Sequence, residues 1–221
     1  MNNNFDWSNY NLKRNKEAIK INNYNLRQNV NFLEKGVYKN VRDIYALSII
    51  VSQIGKKKIN ILDFGGNLMP HVNLSNKINI RNINIYIFNP FSKNNKLKKK
   101  NLKIVTLKKY EQLQKIKFDL IYFGSVLQYI ENLIILKKKI INNSKFVLIT
   151  HTPIIFNKKN FKEVQKNESK LIQKIHSFDE LKKNIFNKFN LIFKSVNDFK
   201  FTGLRKNKKN TYSLNLLFKK K

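Results

Sequence analysis

The stretch that decides the fold reads Ile59-Asn60-Ile61-Leu62-Asp63-Phe64-Gly65-Gly66-Asn67. Its first six residues, Ile59–Phe64, are β-rich and mostly apolar, which predicts a strand. The paired glycines that follow permit positive φ and let backbone come close to a ligand. A strand-ending turn with no ligand has the same two glycines, so the flanking sequence has to decide between the two interpretations.

Six more β-rich runs follow along the chain, and helical or polar segments separate most of them. Runs such as Phe146-Val147-Leu148-Ile149 are apolar without alternation, as in parallel strands that helices cover on both faces. No helical pattern separates the last two runs, which predicts an antiparallel pair at the sheet edge. The pattern predicts an α/β fold with a Rossmann-like, seven-stranded, mostly parallel sheet. The predicted strands are Ile59–Phe64, Ile83–Phe88, Leu102–Leu107, Leu120–Phe123, Phe146–Thr150, Leu191–Val196 and Tyr212–Phe218.

Helical spacing prevails before Lys56-Lys57-Lys58. Leu26, Val30 and Leu33 recur at intervals of four and three, which predicts one helix. A second helix is predicted from about Val41 to Ile54, and Gly55 ends it. We therefore expect residues 1–55 to form an N-terminal helical cap and residues 56–221 to form the Rossmann-like domain. No Gly/Ser-rich linker divides them, so they should pack together.

The composition indicates a globular protein with a large excess of lysine. The 221 residues are 42% hydrophobic and carry a net charge of +32, yet only five of the 45 basic residues are arginine, the side chain that phosphate recognition favours. Lysine is spread along the whole chain, which favours compositional drift over a polyanion-binding face, and nucleic acid is a possible but not a favoured partner. Lys98-Lys99-Lys100 are expected in a loop and Lys219-Lys220-Lys221 in a tail.

Several classes are excluded or disfavoured. With no cysteine, the chain has no disulfide, thiolate metal site or cysteine nucleophile, and no His/Asp/Glu cluster has metal-ligand spacing. No stretch approaches the ~18 consecutive apolar residues of a membrane span, and the start of the chain lacks the apolar core of a signal peptide. We therefore expect a cytoplasmic protein.

The charge of the turn indicates which ligand it suits. A pyrophosphate cofactor requires a third glycine nearby, but positions 68 and 69 are Leu68 and Met69, and the Asp63 carboxylate would repel phosphate. S-adenosylmethionine has an ammonium and a sulfonium and no phosphate. An acid followed by a glycine turn therefore suits S-adenosylmethionine better than a nicotinamide dinucleotide.

Three segments carry a resemblance to a known family. In order, they are Ile61-Leu62-Asp63-Phe64-Gly65-Gly66-Asn67, then Gly124-Ser125-Val126-Leu127-Gln128-Tyr129-Ile130-Glu131, then His151-Thr152-Pro153. The chain resembles class I methyltransferases, and within them a family often linked to bacterial surface-polysaccharide loci. Looser similarity extends over most of the chain.

The resemblance implies that Asp63, Gly65, Gly66 and Asn67 bind the cofactor and that Ser125, Gln128 and Tyr129 line the wall near the transferred methyl. It implies a small molecule or a glycan as acceptor, such as a sugar hydroxyl of a surface polysaccharide. A nucleic-acid (RNA) methyltransferase, favoured by charge, and a non-catalytic module that lost its cofactor are the alternatives.

The sequence departs from the family pattern in two places. Asn89 stands where these enzymes usually have Asp or Glu for the ribose hydroxyls, and it can accept one such hydrogen bond at a loss of about 1 kcal/mol. A later glycine of the loop is replaced by Leu68-Met69-Pro70. Both changes predict a weakened cofactor site.

Two of the three histidines are candidates for a general base. His151 is predicted just past the fifth strand, on the ligand side of the sheet, and is the preferred candidate. His71, after the glycine loop, is less favoured. His176 is expected before a helix cap without a chemical role.

Overall fold

The computed structural model describes residues 54–66, 82–89, 96–99, 102–130, 132–164, 172–197 and 210–221. These residues fall into two compact units, divided between Asp119 and Leu120. The predicted helical cap over residues 1–55 lies outside the described residues except for Ile54 and Gly55, so it stays a prediction. His71 and Asn67 also lie outside them.

The N-terminal unit contains a sheet in the order β3-β4-β2-β1. Strands β1, β2 and β4 are parallel, and β3 pairs antiparallel with β4. The apolar side chains of β1 are fully buried, because this strand is covered on both faces, as its lack of strict alternation predicts. The elements are β1 (Lys58–Phe64), β2 (Asn82–Phe88), β3 (Lys96–Lys99), β4 (Leu102–Leu107) and α1 (Tyr110–Gln114).

The C-terminal unit is built around a long central strand, β6. It pairs parallel with β5 along its first half and antiparallel with β10, which in turn pairs antiparallel with β9. The end of β6 pairs parallel with β8, and β7 pairs antiparallel with β8. The elements are β5 (Leu120–Gly124), a 3-10 turn (Leu127–Tyr129), α2 (Leu133–Lys139), a 3-10 turn (Ile141–Asn143), β6 (Phe146–Ile155), β7 (Phe161–Val164), β8 (Ile172–Ser177), α3 (Phe178–Glu180) continuing as a π-helical turn (Leu181–Ile185), β9 (Phe189–Asn197) and β10 (Thr211–Lys220).

All seven predicted strands are present, and the last two form the predicted antiparallel pair. The fifth was predicted too short: β6 continues past Thr150 to Ile155, because its ladder with β10 resumes after a bulge. His151 is therefore inside the strand and not in the loop that follows it.

Two predictions about lysine runs are wrong. Lys98 and Lys99 lie in β3, and Lys219 and Lys220 lie in β10 rather than in a tail. Backbone pairing explains the second case, because Lys219 is opposite Phe146 and Lys220 is opposite Phe189. Strand ends tolerate lysine when the side chain reaches solvent, so the charge does not oppose the ladder.

The sequence Ser177-Phe178-Asp179-Glu180 has the pattern of a capping box, which predicts a helix start here, and the structure forms half of this box. The Ser177 hydroxyl accepts from the Glu180 backbone N–H at 3.4 Å, as a capping box requires. The reciprocal bond is made by another residue: the Ser177 N–H donates to the Asn160 Oδ1 at 2.6 Å, and the Asn160 amide donates to the Glu180 carboxylate. Asn160 thus joins the two halves of the box.

Candidate functional site

The turn after β1 needs both of its glycines, for different reasons. Gly65 has φ 73°, a left-handed conformation that other residues rarely adopt, and its N–H donates to the Phe88 carbonyl at 2.7 Å. Gly66 lies directly against the Asp63 side chain, so that a Cβ at position 66 would be 1.6 Å from Asp63 Oδ2. The first glycine supplies a conformation and the second supplies space.

Asp63 lies in β1 and is fully buried. Its carboxylate packs against the backbone of Gly66, which has no side chain. A buried carboxylate next to partly exposed main chain makes this part of the turn favourable for a cation and unfavourable for phosphate. This geometry agrees with the electrostatic argument from the sequence.

Asn89 follows β2 and holds the same turn. Its Nδ2 donates to the Gly66 carbonyl at 3.3 Å, and the residue is 5% exposed. An aspartate cannot make this bond, because a carboxylate has no N–H and would repel the carbonyl oxygen. The departure from the family pattern therefore has a structural explanation, whereas the predicted bond of Asn89 to a ribose stays a prediction.

In the C-terminal unit, β5 ends in a turn at Gly124 that leaves no room for a side chain. A Cβ on Gly124 would lie 2.7 Å from the Tyr122 hydroxyl, which is 3.2 Å from the Thr150 hydroxyl. The next residue, Ser125, has φ 56° and donates its N–H to the Thr150 carbonyl at 3.0 Å. Left-handed conformations of residues other than glycine are costly and cluster at functional sites.

Gln128 is the most informative polar side chain of the following 3-10 turn. It is 2% exposed, and its Nε2 donates to the Ser125 carbonyl at 3.2 Å, which fixes the identity of the other amide atom as oxygen. That atom, Oε1, is buried and accepts no hydrogen bond from any residue in the described ranges. A buried acceptor without a donor costs about 1–3 kcal/mol, so it is suited to a ligand's N–H or O–H.

His151 occupies the bulge in β6. It has φ 51° and is half-buried, and its N–H donates to the Asn215 Oδ1 at 3.2 Å. The Asn215 Nδ2 in turn donates to the Ser195 hydroxyl at 3.1 Å, so one amide links β6, β10 and β9. Asn215 is a residue that sequence reasoning missed, because its partner is 64 positions away.

His176 is a core residue of β8 and is 1% exposed. Its Nε2 is 3.2 Å from the Leu127 carbonyl, so β8 supports the turn that carries Gln128 and Tyr129. Burial, with a smaller contribution from Lys174, lowers the pKa of His176 to about 4. The ring is therefore neutral near pH 7 and donates from Nε2 to the Leu127 carbonyl.

The predicted residues thus form one group in each unit. In the N-terminal unit, Asp63, Gly65, Gly66 and Asn89 meet at the glycine turn. In the C-terminal unit, Ser125 and His151 flank Thr150, and Gln128 bonds Ser125. Tyr129 ends the same 3-10 turn and is partly exposed.

Two features are absent from the described ranges. No group of three His, Cys, Asp or Glu side chains in these ranges could hold a metal ion. None of their helices has the length and apolar character needed to cross a membrane.

Comparison with known proteins identifies the fold. No protein-family model and no curated protein matches the chain. The N-terminal domain of EvdMO1, crystallised in the presence of SAH and D-fucose, is similar in structure, with 9% identity, coverage of 82% of each chain and a TM-score of 0.53.

Two further solved structures are similar to the chain. The same EvdMO1 domain with SAH bound gives 8% identity, coverage of 82% of this chain and 81% of that chain, and a TM-score of 0.53. The glycopeptide N-methyltransferase MtfA, complexed with S-adenosyl-L-methionine, has 6% identity, coverage of 82% of this chain and 93% of that chain, and a TM-score of 0.46. At this identity the likeness concerns the fold alone. The chain has the mostly parallel, Rossmann-like α/β fold of the class I methyltransferase type that its sequence predicts.

Proposed function

We propose that this chain is a cytoplasmic, S-adenosylmethionine-dependent methyltransferase whose acceptor is a small molecule or a glycan, most simply a sugar hydroxyl. The observation that carries the proposal is the acid-supported glycine turn at Asp63, Gly65 and Gly66. One EvdMO1 structure has SAH, the demethylated product of this cofactor, bound, and the other was crystallised in the presence of SAH and of D-fucose, a sugar.

In this proposal the glycine turn binds the amino-acid and ribose parts of the cofactor. Asp63 contributes negative charge for the ammonium, Gly65 and Gly66 let the ligand approach the backbone, and Asn67 and Asn89 contribute polar groups. When bound, the cofactor supplies an electrophilic methyl on a sulfonium. The residues present fit this group, since a buried acid under bare backbone suits a cation.

The second group orients the acceptor. Ser125, Gln128 and Tyr129 form the wall near the reacting methyl, where the buried Gln128 Oε1 accepts an N–H or O–H of a bound ligand. A methyl transfer to a hydroxyl needs alignment and a base that takes the hydroxyl proton. We assign this base to His151, whose backbone is held by Asn215.

We also propose that residues 1–55 form a helical cap on the Rossmann-like domain.

A calorimetric titration with S-adenosylmethionine and with its demethylated product tests the proposal. We expect both to bind, and Asp63→Asn, which preserves shape but removes charge, to weaken binding at least tenfold. Asp179→Asn, which removes an exposed carboxylate, is the matched control and should bind as wild type does. No binding at millimolar cofactor by a folded wild-type protein would refute the proposal and favour a non-catalytic module.

A further inference from the structure

Lysines from several segments converge at one end of the C-terminal unit. This is the end where β6 and β9 begin and β10 finishes. The Lys220 N–H donates to the Lys145 carbonyl at 2.9 Å, and the Lys221 N–H donates to the Lys188 carbonyl at 3.1 Å. These two hydrogen bonds connect the start of β6, the start of β9 and the end of β10, and a lysine lies at each of these strand ends.

Two of the ammonium groups are fixed in place by backbone. The Lys220 Nζ donates to the Asn142 carbonyl at 2.6 Å, and the Lys137 Nζ donates to the Asn184 carbonyl at 2.5 Å. These bonds bring the end of α2 and the π-helical turn to the same place. The lysines therefore belong to ordered elements and lose less conformational entropy on binding than a mobile tail would.

Ten lysines lie at these contacts or within two residues of them, and we call this surface the basic end. The three segments that form it, residues 132–162, 181–197 and 210–221, contain neither Asp nor Glu, and neither do they contain Arg. Eight of the ten lysines are exposed, and the other two are partly exposed. The basic end consists of Lys137, Lys138, Lys139, Lys145, Lys182, Lys183, Lys188, Lys219, Lys220 and Lys221.

The basic end is remote from the candidate active site. Lys145 immediately precedes β6, and His151 is six residues further along, a distance of about 20 Å at ~3.3 Å per residue. The lysines lie at the amino end of β5 and β6, whereas Ser125 and His151 lie toward their carboxyl ends. A partner on the basic end would leave the active-site edge open.

We propose that the basic end is a docking surface for an anionic lipid bilayer. Ammonium groups bind such a surface through its averaged potential, without the bidentate phosphate geometry that arginine provides in nucleic-acid sites. A polyanionic substrate would instead have to reach the carboxyl edge of the strands. This inference goes beyond the proposed methyl transfer and does not depend on it.

Co-sedimentation of the full chain with vesicles at about 0.1 M salt tests the docking surface. Vesicles of phosphatidylcholine with a quarter phosphatidylserine are compared with vesicles of phosphatidylcholine alone. The test variant replaces four lysines whose ammonium groups make none of the bonds above, namely Lys145→Gln, Lys188→Gln, Lys219→Gln and Lys221→Gln. The control variant has the same net charge and replaces four exposed lysines that follow the carboxyl ends of β4 and β6, Lys108→Gln, Lys109→Gln, Lys158→Gln and Lys159→Gln.

We expect wild type to bind the anionic vesicles and not the neutral ones. The test variant should bind about 1,000-fold more weakly, and the control variant should stay within about threefold of wild type. Thermal melting establishes that both variants are folded. An equal loss in the two variants would show a net-charge effect and overturn the proposal, as would binding to a short RNA duplex, lost in the test variant, without binding to the vesicles.

Discussion

The backbone N–H of His151 donates to the side-chain oxygen of Asn215 across a bulge between β6 and β10. The bond holds a residue with φ 51° in a conformation that is costly without support. We expect Asn215→Ala to lower the free energy of unfolding by about 1–3 kcal/mol, because a partly buried donor loses its acceptor. Asn215→Asp keeps an oxygen at this place and should lose less than half as much in denaturant titrations. Equal losses would show that the bond contributes nothing.

Gly66 should be irreplaceable even by alanine. A Cβ there overlaps the buried Asp63 carboxylate, so Gly66→Ala should cost about 1–3 kcal/mol of stability and abolish cofactor binding. Gly55→Ala is the matched control, because a Cβ at position 55 meets nothing within 4 Å. Thermal melting and calorimetry measure the two effects. A Gly66→Ala protein that melts and binds as wild type does would contradict the close approach seen here.

Asn89→Asp makes the sequence more like the family pattern, yet it should harm this protein. The substitution removes the Nδ2 donor to the Gly66 carbonyl and places two oxygens against each other. We expect a stability loss of about 1–2 kcal/mol at pH 7 and no gain in affinity for S-adenosylmethionine. Tighter cofactor binding by the variant would instead show that position 89 chiefly serves the ribose.

Stability should depend on pH through His176. Its pKa is about 4 in the folded protein and near 6.5 in the unfolded chain, so the unfolded chain takes up a proton first as the pH falls. The full contribution is present above pH 6.5 and declines by about 1.4 kcal/mol per pH unit down to pH 4. His176→Gln can still donate to the Leu127 carbonyl and has no such titration. The difference between wild type and variant in urea titrations at pH 7 and pH 4.5 isolates the effect, and an unchanged difference would contradict it.

The sequence predicts the features that depend on local pattern. The apolar run Ile59–Phe64 and the two glycines after it predict both β1 and its turn, because a buried parallel strand and a left-handed residue each leave a direct trace in composition. The seven-strand series and the antiparallel final pair follow from the same kind of evidence.

Features that depend on distant contacts were missed. Strand β8 buries Gln173 and His176, two polar residues, so it has no apolar alternation to reveal it. Asn160 replaces half of a capping box from 17 positions away, and nothing in the sequence near Ser177 indicates it. Lysines in β3 and β10 belong to strands because their backbones pair with neighbouring strands, and the pattern of side chains does not predict this pairing.

The bulge at His151 divides β6 into two parts that pair with different parallel strands. Phe146–Thr150 aligns with β5, whereas Ile154 and Ile155 align with β8. A one-residue insertion or deletion inside a regular ladder reverses which face every later side chain occupies. At the bulge, such a change can be absorbed without disturbing either ladder. The direction and identity of the side chain at position 151 can therefore diversify in descendants of this protein while the core on both sides stays the same.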